Sequence, residues 1–354
     1  MSVVNPLSAR RSKEYNRIFK GAAVLTTFAA LYIVTSSNGS TTVKAKSSIK
    51  GLYNSSGNDC FLNSVLQALA SQSSLTQFLQ LRASSSTLYA ALLEFLKNLN
   101  SGSSKPTSAN SFLNILEKIT NKVILRSLQQ DAHEFLQYLL EIIESQDSSL
   151  PSPSSPPSSV RILGFPAQLP FIGFILQTVQ CSFCSAKTST NFKNTILQLS
   201  FPYAHNASSV SLSQLFASNA FEQVDDFKCD ACYPHTKKTT SCYRMVQWKR
   251  PPTLLQIQLE RSCYTPLGLS RNNTAVHYEK SFVLQNRYRY HLRSVITHHG
   301  GANSGHYICY RKKDNCWWSA NDTIISKCTI EKVLDQHRLA FMLFYEMESP
   351  SELD

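Results

Sequence analysis

The chain has 354 residues, 42% of them hydrophobic, with a formal charge of +12 at pH 7. That is enough for one large globular domain or two ordinary ones. The basic excess is concentrated in residues 1–50, which hold eight Lys or Arg against Glu14 alone. The remainder has no Arg/Lys-rich face with interleaved aromatics, so nucleic-acid binding is excluded as a reading.

Residues 1–20 read as a basic tail. No charge follows between Lys20 and Lys44. The apolar heart of that stretch, GAAVLTTFAALYIV at 21–34, would span about 21 Å as a helix, short of a hydrocarbon core of about 30 Å. The uncharged residues behind it extend the reach. The stretch 21–37 is therefore expected to be a transmembrane signal anchor, in preference to a cleaved signal peptide or a core helix. Residues 38–50 form a Ser/Thr/Lys linker.

Residues 51–148 read as helical. In GNDCFLNSVLQAL, 57–69, the apolar residues recur at helical spacing, so one face is expected to be buried. Asn58 and Asp59 are both good N-cap residues, which puts Cys60 in the first turn. Free N–H groups and the positive end of the helix dipole favour a thiolate there. A small buried thiol is the competing reading, and a base elsewhere must decide between them. LYAALLEFLKNL and SFLNILEKI are amphipathic helices separated by the polar turn NSGSSKPTSAN. LPSPSSPPSS, 150–159, is a Pro/Ser loop.

Ten cysteines are present. Cys181 and Cys184 form one C-x₂-C pair, and Cys229 and Cys232 another. Two such pairs supply the four thiolates of a tetrahedral zinc site, with disulfides or redox pairs as the alternative. Thiolate ligands imply a reducing compartment.

From 160 onward the chain is expected to be β-rich. TLLQIQLE, 253–260, alternates like a strand with one wet face. RYRYHLRSVITH and GHYICYR read similarly, and AFMLFYEM reads as a buried strand. Helices first and strands afterwards indicate an α+β fold. In GHYICYRKKDNCWWSANDTI, His306, Ile308 and Tyr310 share one strand face. With KKDN, 312–315, as the turn, His306 is expected to lie directly opposite Asn321. Opposed residues bring their Cβ atoms to about 4.5–5.5 Å, close enough for Asn321 to hold an imidazole N–H. Cysteine catalysis needs that arrangement of base and orienting group. Asp322 is expected on the opposite face unless the strand twists.

These segments together resemble the ubiquitin-specific protease family of deubiquitinating enzymes. GLYNSSGNDCFLNSVLQAL is similar to its cysteine box and LQQDAHEFLQYLL to the helix that follows. The two C-x₂-C pairs match its zinc-bearing fingers, and PPTLLQIQLER its palm strand. HHGGANSGHYICYR, WWSANDTI and AFMLFYE resemble its histidine box and closing strand. The resemblance covers about 51–346 and implies a papain-like catalytic domain. Its helical thumb would be about 51–148, its zinc-ribbon fingers about 175–245, its β palm the rest, and 347–354 a C-terminal tail. It implies hydrolysis of the isopeptide bond after ubiquitin's C-terminal diglycine. By the resemblance, Cys60 matches the nucleophile, His306 the general base and Asn321 the third triad member. Asn54, with Ser55 as alternative, matches the oxyanion donor, and Asp322 is a further catalytic candidate. Asp131 resembles a residue gripping the ubiquitin tail, with Gln130 and Gly305 beside it as substrate-binding residues. Structural zinc would sit on Cys181, Cys184, Cys229 and Cys232.

Two departures stand out. NSSGNDC has one residue more than the family spacing, so the loop must bulge. Asp59 replaces the usual Thr, and an acid beside the thiol implies a slower or more alkaline enzyme unless it points away. The implied partners are ubiquitin, ubiquitinated proteins and, through the anchor, a membrane. Short apolarity with basic flanks suggests the mitochondrial outer membrane with the catalytic domain facing the cytosol, the endoplasmic reticulum being the alternative. A catalytically impaired ubiquitin-binding scaffold and a protease for another ubiquitin-like modifier remain alternatives.

Overall fold

The computed structural model describes residues 49–103, 105–149, 169–201, 208–265, 268–301 and 304–348. The basic tail, the expected anchor at 21–37, the Pro/Ser loop at 150–159 and the last six residues lie outside them. Among the described residues no helix is long and apolar enough to cross a membrane.

Helices come first: α1 (Cys60–Leu69), α2 (Ser73–Arg82), α3 (Thr87–Leu99), α4 (Asn110–Thr120) and α5 (Ala132–Ser149). The strands follow as β1 (Gly173–Cys181), β2 (Lys187–Asn194), β3 (Leu197–Leu199), β4 (Ser209–Ser211), β5 (Phe221–Phe227), β6 (Thr240–Arg250), β7 (Leu254–Leu259) and β8 (Ser262–Thr265). The rest are β9 (Gly268–Arg271), β10 (Ala275–His277), β11 (Ser281–Leu284), β12 (Tyr288–Gly300), β13 (Gly305–Lys313), β14 (Cys316–Asn321), β15 (Ile324–Cys328) and β16 (Ala340–Met347). A helix α6 (Leu212–Ala220) precedes β5.

Two larger sheets result. One has the order β2-β1-β6-β5 and carries the paired cysteines. The other runs β15-β14-β13-β12-β16-β7-β3, with β11 paired to β12. Its pairings are antiparallel except β3 with β7.

The central helix α1 departs from the one-faced expectation. All ten of its residues are buried, Asn63, Ser64 and Gln67 included. Phe61 meets Phe135 of α5 edge to face at 5.7 Å. On its other side α1 joins a core with Ile296, Cys309, Trp318 and Ala320 of the large sheet. Burial of the large apolar side chains contributes about 1.5–3 kcal/mol each. The amide nitrogens of α1 find partners outside the helix: Gln67 Nε2 donates to the Lys50 carbonyl (2.7 Å), and Asn63 Nδ2 to Asp322 (2.8 Å), while Ser64 Oγ donates to the Phe61 carbonyl within it (2.9 Å). A helix buried all round needs such partners, since an unpaired buried amide costs about 1–3 kcal/mol.

The far face of the large sheet has its own core, where Leu255, Ile257 and Tyr345 pack with Leu215 of α6, Val276 and Val333. With both faces covered, β7 is buried along nearly its whole length, Gln256 included. The expected wet face of TLLQIQLE is therefore absent. Alternation reflected the sequence's own polarity and not the second cover layer, which is assembled from distant segments.

The β13–β14 hairpin also differs from the sequence reading. Lys312 and Lys313 stay in the strand, and the turn is Asp314–Asn315 alone, with Asp314 at φ 52°. Asp tolerates that left-handed conformation, and two-residue hairpin turns favour it. Lys313 then pairs with Cys316 and Cys309 with Ala320. The register is shifted by two residues, so His306 is not directly opposite Asn321.

Candidate active site

The segment before α1 is pinned to the end of β14. Leu52 N–H donates to the Asp322 carbonyl (2.9 Å), and a Cβ on Gly51 would lie 2.6 Å from the Thr323 carbonyl oxygen. Only glycine allows that approach. The extra residue of NSSGNDC is taken up in a turn, closed by Gly57 N–H to the Asn54 carbonyl at 3.3 Å. Asn54 then bridges two parts of the site: its Oδ1 accepts from Asp59 N–H (2.8 Å), and its Nδ2 donates to Asp322 Oδ2 (2.9 Å).

Asp59 is the N-cap of α1, but its side chain makes no cap hydrogen bond. Instead the fully buried carboxylate accepts from Arg126 Nε (2.7 Å), Arg126 Nη2 (2.6 Å) and Ser56 Oγ (2.6 Å). Burial alone would raise its pKa, but the Arg126 and Ser56 hydrogen bonds outweigh that and hold the carboxyl below the usual range. The acid before the nucleophile candidate thus points away and is neutralised. Its failure to cap leaves the first-turn N–H groups of α1 without a side-chain acceptor among the described residues.

Cys60, only 4% exposed, meets His306 of β13. His306 Nε2 reaches Asn321 Oδ1 at 2.6 Å. Asn321 is the last residue of β14, and the contact is diagonal across the hairpin, within range for long side chains. With Nε2 committed to Asn321, Nδ1 is left for the sulfur. The Cys60 contact pushes the imidazole up to about 9, against the opposing effect of burial, and Asn321 and Asp322 add to the rise. Asp322 sits at φ 49° just beyond the strand, which breaks the alternation and turns its carboxylate toward Asn54 and Asn63.

Beside His306 lies a second imidazole with the opposite tendency. His298 of β12 is pushed down to about 4, by burial first and then by Arg271, His299 and His306. Arg271 Nη1 lies 3.0 Å from His298 Nδ1, which makes that nitrogen an acceptor and the ring neutral. A Cβ on Gly305 would fall 2.2 Å from His298 Nε2, so glycine is required for the ring to sit there.

The opposite wall is the loop before α5. Asp131 Oδ1 accepts from His133 N–H (2.6 Å), as an N-cap does, and burial pushes its carboxyl up to about 6. Gln130 is half-buried beside it. Gln129 Oε1 accepts from Gly305 N–H at 3.0 Å, joining this loop to β13. Gln129 and Arg126 were not among the residues singled out from sequence. Arg126 lies 67 positions from its partner Asp59, and no motif spacing marks it.

In the smaller sheet, the sulfurs of Cys181, Cys184, Cys229 and Cys232 all lie within 4.8 Å of one another. Cys181 and Cys232 are 3.9 Å apart, and Cys184 and Cys229 3.6 Å. Zn–S bonds of about 2.3 Å in a tetrahedron separate sulfurs by about 3.8 Å, so these four fit zinc. All ten cysteines are free of disulfides.

The sequence profile described as Ubiquitin carboxyl-terminal hydrolase (UCH) matches residues 50–345. The chain belongs to the ubiquitin carboxyl-terminal hydrolase family. It is 51% identical over 352 residues to ubiquitin carboxyl-terminal hydrolase 11 of Schizosaccharomyces pombe, covering 99% of each chain. It is 27% identical over 322 residues to the same organism's probable ubiquitin carboxyl-terminal hydrolase 16, covering 83% of this chain and 66% of that one. The SAGA DUB module Ubp8/Sgf11/Sus1/Sgf73 bound to monoubiquitin superposes with a TM-score of 0.67 at 21% identity, over 97% of this chain and 75% of that one. The same module bound to ubiquitin aldehyde gives 0.68 at 19% identity, with the same coverage. The chain is a deubiquitinating cysteine protease with the ubiquitin-specific protease fold.

Within this hydrolase the four-cysteine cluster would hold zinc as a cross-link between the β1–β2 turn and the β5–β6 connection. Purified protein is expected to carry about one zinc per chain, lost together with thermal stability in Cys184→Ser. Metal analysis beside a melting curve checks this; a metal-free chain of unchanged stability would exclude the site. Apparent binding free energies for such sites are about 10–16 kcal/mol, so the loss should be large.

Proposed function

We propose that this deubiquitinase cleaves the isopeptide bond after ubiquitin's C-terminal diglycine with Cys60 as nucleophile, His306 as proton carrier and Asn321 as positioning residue. The single observation that carries the reading is the Cys60–His306–Asn321 chain of contacts. It joins a sulfur at a helix start to an imidazole held charged. The reaction starts from a thiolate beside an imidazolium, a complete ion pair.

The thiolate attacks the carbonyl carbon of the terminal glycine. The developing oxyanion takes hydrogen bonds from the first-turn N–H groups of α1 and from the remaining N–H of Asn54 Nδ2, a stabilisation of about 3–4 kcal/mol per donor at most in comparable hydrolases. The imidazolium then gives its proton to the departing lysine amine, leaving a thioester. His306, now neutral, takes a proton from water, which attacks the thioester and frees the ubiquitin carboxylate. Asp322 acts from behind by holding Asn54. Asp131, raised to about 6 and so still ionised at neutral pH, would grip the basic tail of ubiquitin, with Gln130 and Gly305 alongside. Neutral His298 does not compete with His306 for the thiolate.

A ubiquitin probe carrying a C-terminal electrophile should label Cys60, with labelling lost in Cys60→Ala. Probes built on other ubiquitin-like modifiers should react far more slowly. An unlabelled wild-type chain would favour the scaffold reading instead. The pH sign follows from His306: its folded pKa is raised, so the imidazolium persists until pH approaches about 9 and is lost above it. The kcat/KM profile should therefore fall on an alkaline limb near that pH. Asn321→Ala should move the limb downward and lower kcat by roughly 10²-fold. An unmoved limb would mean that Asn321 does not support the charged ring.

We also propose that residues 21–37 anchor the chain in an organelle membrane, in the first instance the mitochondrial outer membrane, with the catalytic domain in the cytosol. Support comes from the uncharged apolar stretch with basic flanks and from the ten free thiols. Imaging a tagged chain with and without residues 1–40 checks this: the truncated form should become diffuse, and unchanged localisation would exclude the anchor.

A further inference from the structure

The residue directly before the nucleophile is an acid, and its charge needs an account. A carboxylate beside a thiolate disfavours the thiolate. Asp59 is fully buried, so water does not screen it. Among the described residues the only cation on it is Arg126, in a two-pronged contact of 2.7 and 2.6 Å. Such forked pairs fix geometry as well as charge. Arg126 is itself held: Nη1 donates to Asn110 Oδ1 at the start of α4 (2.8 Å). Its backbone is tied too, since Asn58 Nδ2 donates to the carbonyls of Arg126 (3.4 Å) and Ser127 (3.2 Å).

We propose that Arg126 is a positioning residue for the deubiquitinating reaction: it turns the Asp59 carboxylate away from Cys60 and cancels its charge, so that the nucleophile ionises as though no acid preceded it. This rests on the reading of Cys60 as a working thiolate. The other charged or titratable groups around this corner are His306, His298, His299 and Tyr307 from the large sheet, Arg271 against His298, Asp322 beyond β14, Asp131 before α5 and Glu117 on α4. Glu117 is occupied by the Ile124 N–H (2.8 Å), Asp322 by Asn54 and Asn63, and Asp131 by its own helix start. None of them replaces Arg126 on Asp59.

The pairing also links reactivity to the substrate wall. Arg126 precedes Gln129 and Asp131 in the same loop, so the loop lining the cleft carries the cation that quiets Asp59. A serine, asparagine or threonine at position 59 would need no such partner, and the arginine would then be dispensable.

The test is the pH dependence of Cys60 alkylation by iodoacetamide, read by mass spectrometry on the full chain without ubiquitin. Arg126→Gln is expected to move the midpoint up by about one unit, which makes alkylation at pH 7 about ten-fold slower. Asp59→Asn combined with Arg126→Gln should return the midpoint to the parent value, and Asp59→Asn alone should leave it at or below that value. Should Arg126→Gln fail to fold, Arg126→Lys keeps the charge and should hold the parent midpoint, while the Asp59→Asn result stands by itself. The proposal is overturned if Arg126→Gln titrates like the parent, if the double variant stays with the single one, or if Asp59→Asn shifts the midpoint upward. Because iodoacetamide needs no ubiquitin, failure here is distinguishable from failure of the ubiquitin probe to label Cys60.

Discussion

The Asp322 carboxylate accepts from Asn54 on one oxygen and Asn63 on the other, at 2.9 and 2.8 Å, and the cleft is built outward from that node. Asn54 lies on the loop before Cys60, Asn63 one turn after it, and Asp322 beside Asn321, which meets the His306 imidazole. One charged acceptor thus fixes the sulfur's helix against the histidine's hairpin. Hydrogen bonds to a charged group are roughly twice as strong as neutral ones, which suits a junction between segments more than 250 residues apart in sequence. The Leu52–Asp322 backbone bond and the bare Gly51 contact close the same seam.

Around that seam burial and specific partners together sort the titratable groups into distinct states. His306 is raised because its environment supplies a sulfur and an amide oxygen, whereas His298 is lowered by burial, the Arg271 guanidinium and the neighbouring His299 and His306. Two imidazoles a few residues apart therefore serve opposite ends. Three carboxylates divide likewise: Asp59 is held low by Arg126, Asp322 accepts from two amides, and Asp131 is raised by burial. Environments that drive like groups apart are a recurrent mark of acid–base sites.

The large sheet gives the site a packed frame. α1 is enclosed on every side, so Cys60 starts a fully buried helix, and His306 rises from a strand between two paired neighbours. Arg311, wholly buried on the same strand, donates to Asn100 Oδ1 (2.8 Å) and ties the strand back to the end of α3. Catalytic geometry on paired strands and a buried helix tolerates less drift than geometry on loops.

The sequence by itself determined the order of helices and strands, the thiol at a helix start, the histidine in a hairpin and the four cysteines of the smaller sheet. These are local signals: periodicity, cap residues and C-x₂-C spacing each act within a few positions. Only the tertiary structure decided the hairpin register, the double burial of β7, the turning of Asp322 into the cleft and the Asp59–Arg126 pair. Each of those depends on a partner far along the chain, or on one residue's entry into the left-handed region. Packing sets such features, and no short-range pattern in the amino-acid order records them.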